Sequence, residues 1–313
     1  MSQSESPVAI VTGAGRGLGR EHALALARAG YAVVVNDLGG AGDGTGADAS
    51  PAAQVVAEIE ALGGRAVADG SNVADWRAAG ELIDKAVKTF GRLDALVNNA
   101  GCLRDRTVAN LTEEDWDLVV AVNLKGTAAP LHHAARYWRD LSKSVGGPVQ
   151  GAVVNTTSAS GLYPNPGQAN YAAAKAGVAA LTIVAARELA RYGVRVNAIA
   201  PVAATRLTDA VMSEAAKARF DPTRVSPLVV YLAGPQAAEI TGRIFELGGD
   251  ALVAVDPARP VAGLRAEGGA WTAEHIAEVA PGLVERLPPE MSTIAAGEFM
   301  KMLPVSAGAP ERA

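Results

Sequence analysis

The chain is predicted to fold as an α/β protein: a doubly wound, parallel sheet of seven strands with helices on both faces, followed by a C-terminal extension. Three observations predict it. Seven short apolar runs alternate with longer stretches rich in Ala and Leu, the order that lays helices on both faces of a parallel sheet. The first run leads directly into a glycine-rich turn and then a helix. The composition, 49% hydrophobic and 19% charged over 313 residues, is that of a chain able to bury a sizeable core.

Val8 to Val11 reads as a buried strand. It is followed by Thr12-Gly13-Ala14-Gly15-Arg16-Gly17-Leu18-Gly19, and then by a helix from Arg20 to Ala29 stopped by Gly30. In that setting glycines permit a tight turn and bring backbone N–H groups to a pyrophosphate at the positive end of the helix. Gly13, Gly17 and Gly19 form the pattern T-G-x-x-x-G-x-G, so nucleotide binding is expected. Tyr31 to Val35 is the second strand and ends in Asn36-Asp37. A carboxylate there accepts hydrogen bonds from the adenosine ribose and repels a 2′-phosphate, which favours NAD over NADP; an ordinary turn aspartate is the alternative. Arg16 pulls the other way, because a basic residue in the turn attracts a 2′-phosphate. Asp37 carries more weight, since it opposes that phosphate directly.

Leu38 to Ser50 is rich in Gly, Ala and Asp and has no apolar period, and loops of this length are commonly functional or mobile. Pro51 opens a helix that runs to Gly63-Gly64. Arg65 to Asp69 is the third strand. Asn72 is placed either to meet an adenine edge or to hold its own turn, and Asp75 is an N-cap for a helix through Phe90. Leu93 to Val97, the fourth strand, ends in Asn98-Asn99-Ala100-Gly101. These asparagines either fix backbone near a cofactor or fasten adjacent strands. Both roles belong to the carboxyl edge of the sheet, where open α/β sheets bind ligands. Arg104-Asp105-Arg106 is a small basic cluster for which a solvated loop and a substrate-phosphate role are equally open. Thr112-Glu113-Glu114-Asp115 marks an acid-rich helix start. Asn123 in the helix that follows is either a surface position or a polar group bonding inside.

Gly151 to Asn155 is the fifth strand, with Thr156, Thr157 and Ser158 at its end. After a turn-rich stretch, Asn170 to Tyr192 reads as one long helix carrying Tyr171 and Lys175. A four-residue spacing puts both on one helix face, one turn apart. Ser158 lies thirteen residues before Tyr171, at the same sheet edge. A phenol beside an ammonium is an arrangement for moving a proton, and the ammonium is expected to lower the tyrosine pKa from about 10. Val194 to Ile199 is the sixth strand and Pro201 breaks it; Thr205 to Asp221 reads as a polar, helical flap. Ser226 to Leu232 starts another helix, and Ile244 to Gly249 is the seventh strand and its turn. Beyond Asp250 the pattern ends. The expected division is a dinucleotide-binding catalytic domain over 1–250 and an extension over 251–313, with weak helices near Thr272 to Val279 and Met291 to Met302.

Several function classes are set aside. A net charge of −5 with no long block of like charge argues against a nucleic acid or a membrane surface as partner, though a local basic cluster can still meet an anionic ligand. No apolar run has the length of a membrane span. The single cysteine, Cys102, permits no intrachain disulfide and suits a reducing compartment. Met1 to Pro7 is polar, without the pattern of a signal peptide. A cytoplasmic protein without a metal site is expected.

Taken together, Thr12-Gly13-x-x-x-Gly17-x-Gly19, Asn98-Asn99-Ala100-Gly101, Asn123, Ser158 and Tyr171-x-x-x-Lys175 resemble the short-chain dehydrogenase/reductase family, in its order and spacing, across residues 8 to 249. The fold implied is a Rossmann sheet. Within the family the chain looks most like the (3R)-hydroxyacyl-CoA dehydrogenase portion of type 2 peroxisomal multifunctional enzymes. That likeness is carried by Val35-Asn36-Asp37-Leu38-Gly39-Gly40 with the loop after it, Leu103 to Arg106, Ser158 to Gly161, Gly167-Gln168-Ala169-Asn170-Tyr171, Phe245-Glu246 and the extension. The peroxisomal ending is missing. Val202 stands where many members have glycine after the proline, which implies a reshaped backbone beside the nicotinamide.

The resemblance implies Tyr171 as general base in oxidation and general acid in reduction. It implies Lys175 on the nicotinamide ribose, Ser158 on the substrate oxygen, and Asn123 holding a water that relays the proton from Lys175. Cofactor contacts are implied for Gly13, Arg16, Gly17, Leu18 and Gly19, for Asp37, Asn72 and Val73, and for Asn99, Ala100 and Gly101. Tyr171, Lys175, Pro201 and Thr205 complete that set, with NAD expected and NADP the lesser alternative. The expected reaction interconverts a 3-hydroxyacyl-CoA and a 3-ketoacyl-CoA, on a fatty or steroid-type acyl group, in a homodimer or homotetramer. The alternatives are dehydrogenation of a free steroid alcohol or small ketone, and, more remotely, nucleotide sensing without catalysis.

Overall fold

The computed structural model describes residues 6–204, 213–256, 260, 262–266, 270–287, 301 and 303. The strands are β1 (Val8–Thr12), β2 (Ala32–Asn36), β3 (Arg65–Asp69), β4 (Ala95–Asn98), β5 (Gly151–Thr156), β6 (Val194–Val202), β7 (Ile244–Gly248) and β8 (Ala251–Val255). They form a single sheet in the order β3-β2-β1-β4-β5-β6-β7-β8. All neighbours are parallel except β7 and β8, which are antiparallel. The chain order reverses direction between β1 and β4, so their carboxyl ends open a crevice of the kind in which such sheets bind ligands.

Residues of β1 show why the strands are continuous apolar runs. Ala9 and Val11 belong to one buried layer and Val8 and Ile10 to the other, so both faces are covered. The first layer packs under α1 (Gly17–Arg28), α2 (Ser50–Ala61) and α9 (Ser226–Ala233), through Leu24, Ile59, Leu228 and Leu232. The second packs under α3 (Trp76–Phe90), α5 (Gly126–Val145) and α7 (Ala169–Leu189), through Leu82, Leu131, Trp138 and Leu189. Trp138 donates its indole N–H to Leu93 O at 2.8 Å, so the largest buried side chain has no orphaned polar atom. The remaining helices are α4 (Glu113–Val120), α6 (Ala159–Leu162), α8 (Glu214–Arg219) and α10 (Ala273–Val284). Between α4 and α5 the chain takes one π-helical turn, Ala121–Lys125. Asp75 and Thr112 act as N-caps, accepting from Ala78 N at 2.8 Å and Asp115 N at 3.1 Å.

The sheet departs from expectation at its end. Instead of stopping after seven strands, the chain turns through Gly249, at φ +62°, and Asp250, and lays Ala251–Val255 against β7. A two-residue Gly-Asp turn between two apolar runs is a hairpin signal, so the sheet continues past the expected boundary at 250. The 38–50 loop is folded rather than loose. Asp48 N reaches Leu38 O at 2.9 Å, Ala41 N reaches Thr45 O at 2.7 Å, and Leu103 N reaches Gly42 O at 3.1 Å. In the extension, α10 starts at the Thr272 cap and runs further than expected. Of the expected flap residues 213–221 are described, with α8 within them, and the helix expected over 291–302 lies outside the described residues apart from residue 301. The segment Ala169–Tyr192 is long and apolar enough to cross a membrane, an 18-residue stretch of it having mean hydropathy 1.3, contrary to the reading that no run has that length. Half of it is buried inside the protein, and it packs on β5, β6 and α5 as a core helix.

Candidate active site

The carboxyl ends of β1, β4 and β5 build the site. At the end of β1, Thr12 Oγ accepts from Asn99 N at 3.0 Å and Ala100 N at 3.1 Å. The Asn99 side chain donates to Thr12 O at 2.9 Å and Gly13 O at 3.0 Å. Asn99 thus ties the end of β4 to the backbone of the glycine turn, which fits both roles open for it. Asn98 likewise bonds Asn155 Oδ1 at 2.9 Å, linking β4 to β5. Gly13 and Gly17 hold φ of +61° and +54°, conformations costly to any other residue. A Cβ on Gly19 would lie 2.1 Å from Gly13 O, so the turn closes only around a glycine.

Asp37 stands beside this turn. Its two carboxylate oxygens accept from Gly15 N and Gly39 N, each at 2.6 Å, which locks the acid at the strand end. Arg16 faces Asp48 of the loop, with 3.9 Å between Nη2 and Oδ2. A group arriving there meets two carboxylates and one partly neutralised guanidinium. Asn72 accepts from Ala74 N at 2.9 Å and so holds its own turn. Val73 is buried beside Gly126.

On the other side of the crevice, Thr157 donates its hydroxyl to Lys175 O at 2.7 Å, and Lys175 Nζ donates to Thr156 O at 2.8 Å. These bonds bolt α7 to the end of β5. Lys175 is 3% exposed, and its ammonium lies 5.7 Å from the centre of the Tyr171 ring. Ser158 caps α6, accepting from Ser160 N at 3.2 Å, and is hydrogen-bonded to the Tyr171 side chain. Asn123 lies fully buried in the π turn, which decides between its two open roles. Its Nδ2 donates to Cys102 O and Val119 O, both at 2.9 Å, while its Oδ1 has no partner. That oxygen faces Gly101, whose missing Cβ would sit 2.7 Å from it and 3.7 Å from Lys175 Nζ. A buried acceptor left open beside an ammonium is a seat for a water.

The electrostatics correct one expectation. The ammonium of Lys175 does not lower the Tyr171 pKa in the protein alone. Burial pushes the phenol up to about 12, against the bond from Ser158, and the nearby Asp105 and Cys102 add to the rise. Tyr171 is only partly buried and opens on the cavity. Burial lowers Lys175 to about 8, opposed by Cys102. Desolvation penalises the charged form of each group and moves the two pKa values towards opposite sides of a shared proton.

Asn99, Asn123, Ser158, Tyr171 and Lys175 line one cavity of about 850 Å³, which runs from Arg16 and Asp37 to Phe220 and Glu246. Leu18, Val73, Gly101 and Pro201 also line it; Thr205 lies outside the described residues. The glycine turn, the locked Asp37 and the open Asn123 Oδ1 fit a dinucleotide. Of the arginines considered for a substrate phosphate, Arg104 is occupied: it donates to Asp43 O at 3.1 Å and pairs with Glu114 and Asp115 at 3.1 and 3.4 Å. Arg106 pairs with Asp115 at 3.7 Å. Arg219, paired with Asp250 at 3.0 Å, and Lys301 line the cavity instead, and nothing in their local sequence marks them. Two further side chains matter that resemblance named without a role. Asn170, fully buried, donates to Arg104 O at 3.0 Å and Asp115 O at 3.1 Å and accepts from Tyr171 N at 2.8 Å. Gln168 bridges Ser160 Oγ at 2.7 Å and Asp105 Oδ2 at 2.9 Å. Val202 ends β6 opposite Gly248, where a Cβ would come within 2.7 Å of the valine Cβ.

The chain matches known proteins over most of its length. The profile of the short chain dehydrogenase family matches residues 7–218. A hydroxyacyl-CoA dehydrogenase, ChsB1, of Mycobacterium tuberculosis is 45% identical over 275 residues, 84% of each chain. The mouse peroxisomal multifunctional enzyme type 2 is 43% identical over 241 residues, 77% of this chain but 31% of that longer protein. A crystal structure of a short chain dehydrogenase from Mycobacterium avium superposes with a TM-score of 0.81 at 48% identity, covering 91% of this chain and 97% of the other.

Proposed function

The chain belongs to the short-chain dehydrogenase family, an oxidoreductase family, and from that premise we propose that it is an NAD-dependent dehydrogenase interconverting 3-hydroxyacyl-CoA and 3-ketoacyl-CoA, on a fatty or steroid-type acyl group. The observation that carries the reaction is the meeting of Ser158, Tyr171, Lys175 and Asn123 in one cavity with the glycine turn and Asp37. The substrate class is supported by the hydroxyacyl-CoA dehydrogenase of M. tuberculosis, to which this chain is similar over most of both lengths.

In this reading Ser158 donates to the substrate oxygen and Tyr171 takes the hydroxyl proton in oxidation, returning it in reduction. A bound nicotinamide would accept the hydride that leaves C3 of the substrate. Lys175 holds the nicotinamide ribose and, with a water on Asn123 Oδ1, passes the proton towards solvent. A nearby cation favours the phenolate, so cofactor binding offsets part of the burial that raises Tyr171. Acid–base help of this kind contributes roughly 10²–10⁴ in rate. Asp37 receives the adenosine ribose hydroxyls, and with Asp48 beside Arg16 it disfavours a 2′-phosphate. Initial rates with 3-hydroxyacyl-CoAs and their pantetheine analogues, with NAD and NADP in parallel, test the assignment. The expected result is a kcat/KM at least tenfold higher with NAD, and a loss of kcat/KM on removing the nucleotide end of CoA. Equal use of thioester and analogue would favour a free alcohol or ketone, and a preference for NADP would overturn the role of Asp37.

A further inference from the structure

Glu246 is a buried carboxyl that the proposed chemistry does not use. It sits on β7 opposite Ala200 of β6 and Val253 of β8. Two residues earlier on the same face, Ile244 packs with Ala198 and Ala179 against Leu162 of α6. Side chains two apart on a strand share a face, so Glu246 continues that row towards the site, beneath the residue after α6, Tyr163. The row passes there from sealed core to cavity wall: Glu246 is 3% exposed and lines the cavity with Val202, Phe220, Gly248 and Ala251. No cation pairs with it among the described residues, and Tyr163 donates a hydrogen bond to it. Burial raises its pKa above the usual carboxyl range, against that bond. An apolar residue would continue the row without the cost of burying a carboxyl, so the fold alone does not call for an acid here.

We propose that Glu246, backed by Tyr163, is a subsite for a second, uncharged oxygen of the substrate, besides the one held by Ser158 and Tyr171. The carboxyl accepts from Tyr163 on one oxygen and bonds a hydroxyl group on the acyl chain with the other, a bond the acid makes in either protonation state. The surrounding Val202, Phe220 and Ala251 take the hydrocarbon. The ligand class is therefore an apolar acyl group bearing an oxygen function, rather than a plain saturated chain. This rests on the acyl-CoA reading of the same cavity.

The test uses pairs of 3-hydroxyacyl-CoAs with identical carbon skeletons, one of each pair carrying an added distal hydroxyl group. Wild type should favour the oxygenated member by roughly tenfold in kcat/KM, since a site built to bond an oxygen discriminates against the analogue lacking it. Glu246→Leu should bring the ratio close to one while leaving the plain substrate within about twofold, with the loss in KM rather than kcat. Tyr163→Phe, which keeps the ring packing, should lower the ratio in the same sense and carries the test if Glu246→Leu does not fold. No preference in wild type, or equal losses for both members in the variants, would overturn the subsite. Running the same skeletons as free hydroxy ketones separates the two readings. A Glu246-dependent preference there without thioester turnover would sink the acyl-CoA assignment and leave the subsite standing.

Discussion

At Tyr171 the protein holds a phenol more firmly protonated than in water, pushed up to about 12 by burial, next to a lysine lowered to about 8 by the same cause. The sign of the pH dependence follows. Reduction consumes the protonated phenol, so its rate should stay level from pH 6 to about 8 and fall only at higher pH. Oxidation needs the phenolate, so its rate should climb across pH 7 to 10. Rate profiles in both directions check this, and an oxidation rate that peaks near pH 6 would contradict it. Lys175 makes a second prediction. Its folded pKa lies below the ordinary 10.5, so between about pH 8 and 10.5 the unfolded chain binds more protons and stability rises with pH. Below pH 8 the buried ammonium costs up to about 3 kcal/mol, while its bond to Thr156 O returns about 1 kcal/mol. Lys175→Met should therefore lose turnover yet gain roughly 1–2 kcal/mol of stability at pH 7, a gain that shrinks as pH approaches 10. Denaturant unfolding at pH 7 and 10 measures it; a gain that grows with pH would refute the buried ammonium.

Elements fix where these residues meet, and two glycines set the tolerance. Gly19→Ala should force the turn open, because its Cβ would strike Gly13 O; NAD affinity by calorimetry should fall at least tenfold, and unchanged affinity would mean the turn does not hold the cofactor. Gly248→Ala would press on Val202 Cβ and should cost about 1–3 kcal/mol. Val202→Gly in the same chain should recover most of that loss in thermal unfolding, which it would not do if the contact were slack. These elements also mark what the sequence made legible. β1 to β7 are readable because each is an apolar run of strand length, and Tyr171 with Lys175 is readable because helix spacing alone puts them on one face. β8 was missed because the Gly249-Asp250 turn reads as an ending as readily as a hairpin. Asn170 and Gln168 bond groups more than fifty residues away, and Glu246 stands out only by its burial, so what marks them arises from packing that no local pattern encodes. The direction of the Tyr171 shift was misjudged for the same reason, since proximity of a lysine is visible in sequence and desolvation is not.

For the whole molecule, one cavity on the carboxyl edge of one sheet joins the glycine turn, the Tyr171–Lys175 pair and the chamber proposed for the acyl group. No residue of α10 is buried, and Trp271, Ile276, Val284 and Leu287 are exposed around it; exposed apolar residues in such a group are characteristic of association surfaces. Light scattering should give the mass of a homodimer or homotetramer, and a monomer at micromolar concentration would contradict that expectation. The central claim is that Tyr171 performs proton transfer in NAD-dependent oxidation of a 3-hydroxyacyl-CoA. The most direct measurement is NADH formation from a 3-hydroxyacyl-CoA by wild type and Tyr171→Phe, with NAD binding measured on both. The account predicts rapid NADH formation by wild type and, for the variant, intact NAD binding with turnover reduced about 10²–10⁴-fold. Near-full turnover by Tyr171→Phe, or no NADH from any 3-hydroxyacyl-CoA with wild type, would contradict it.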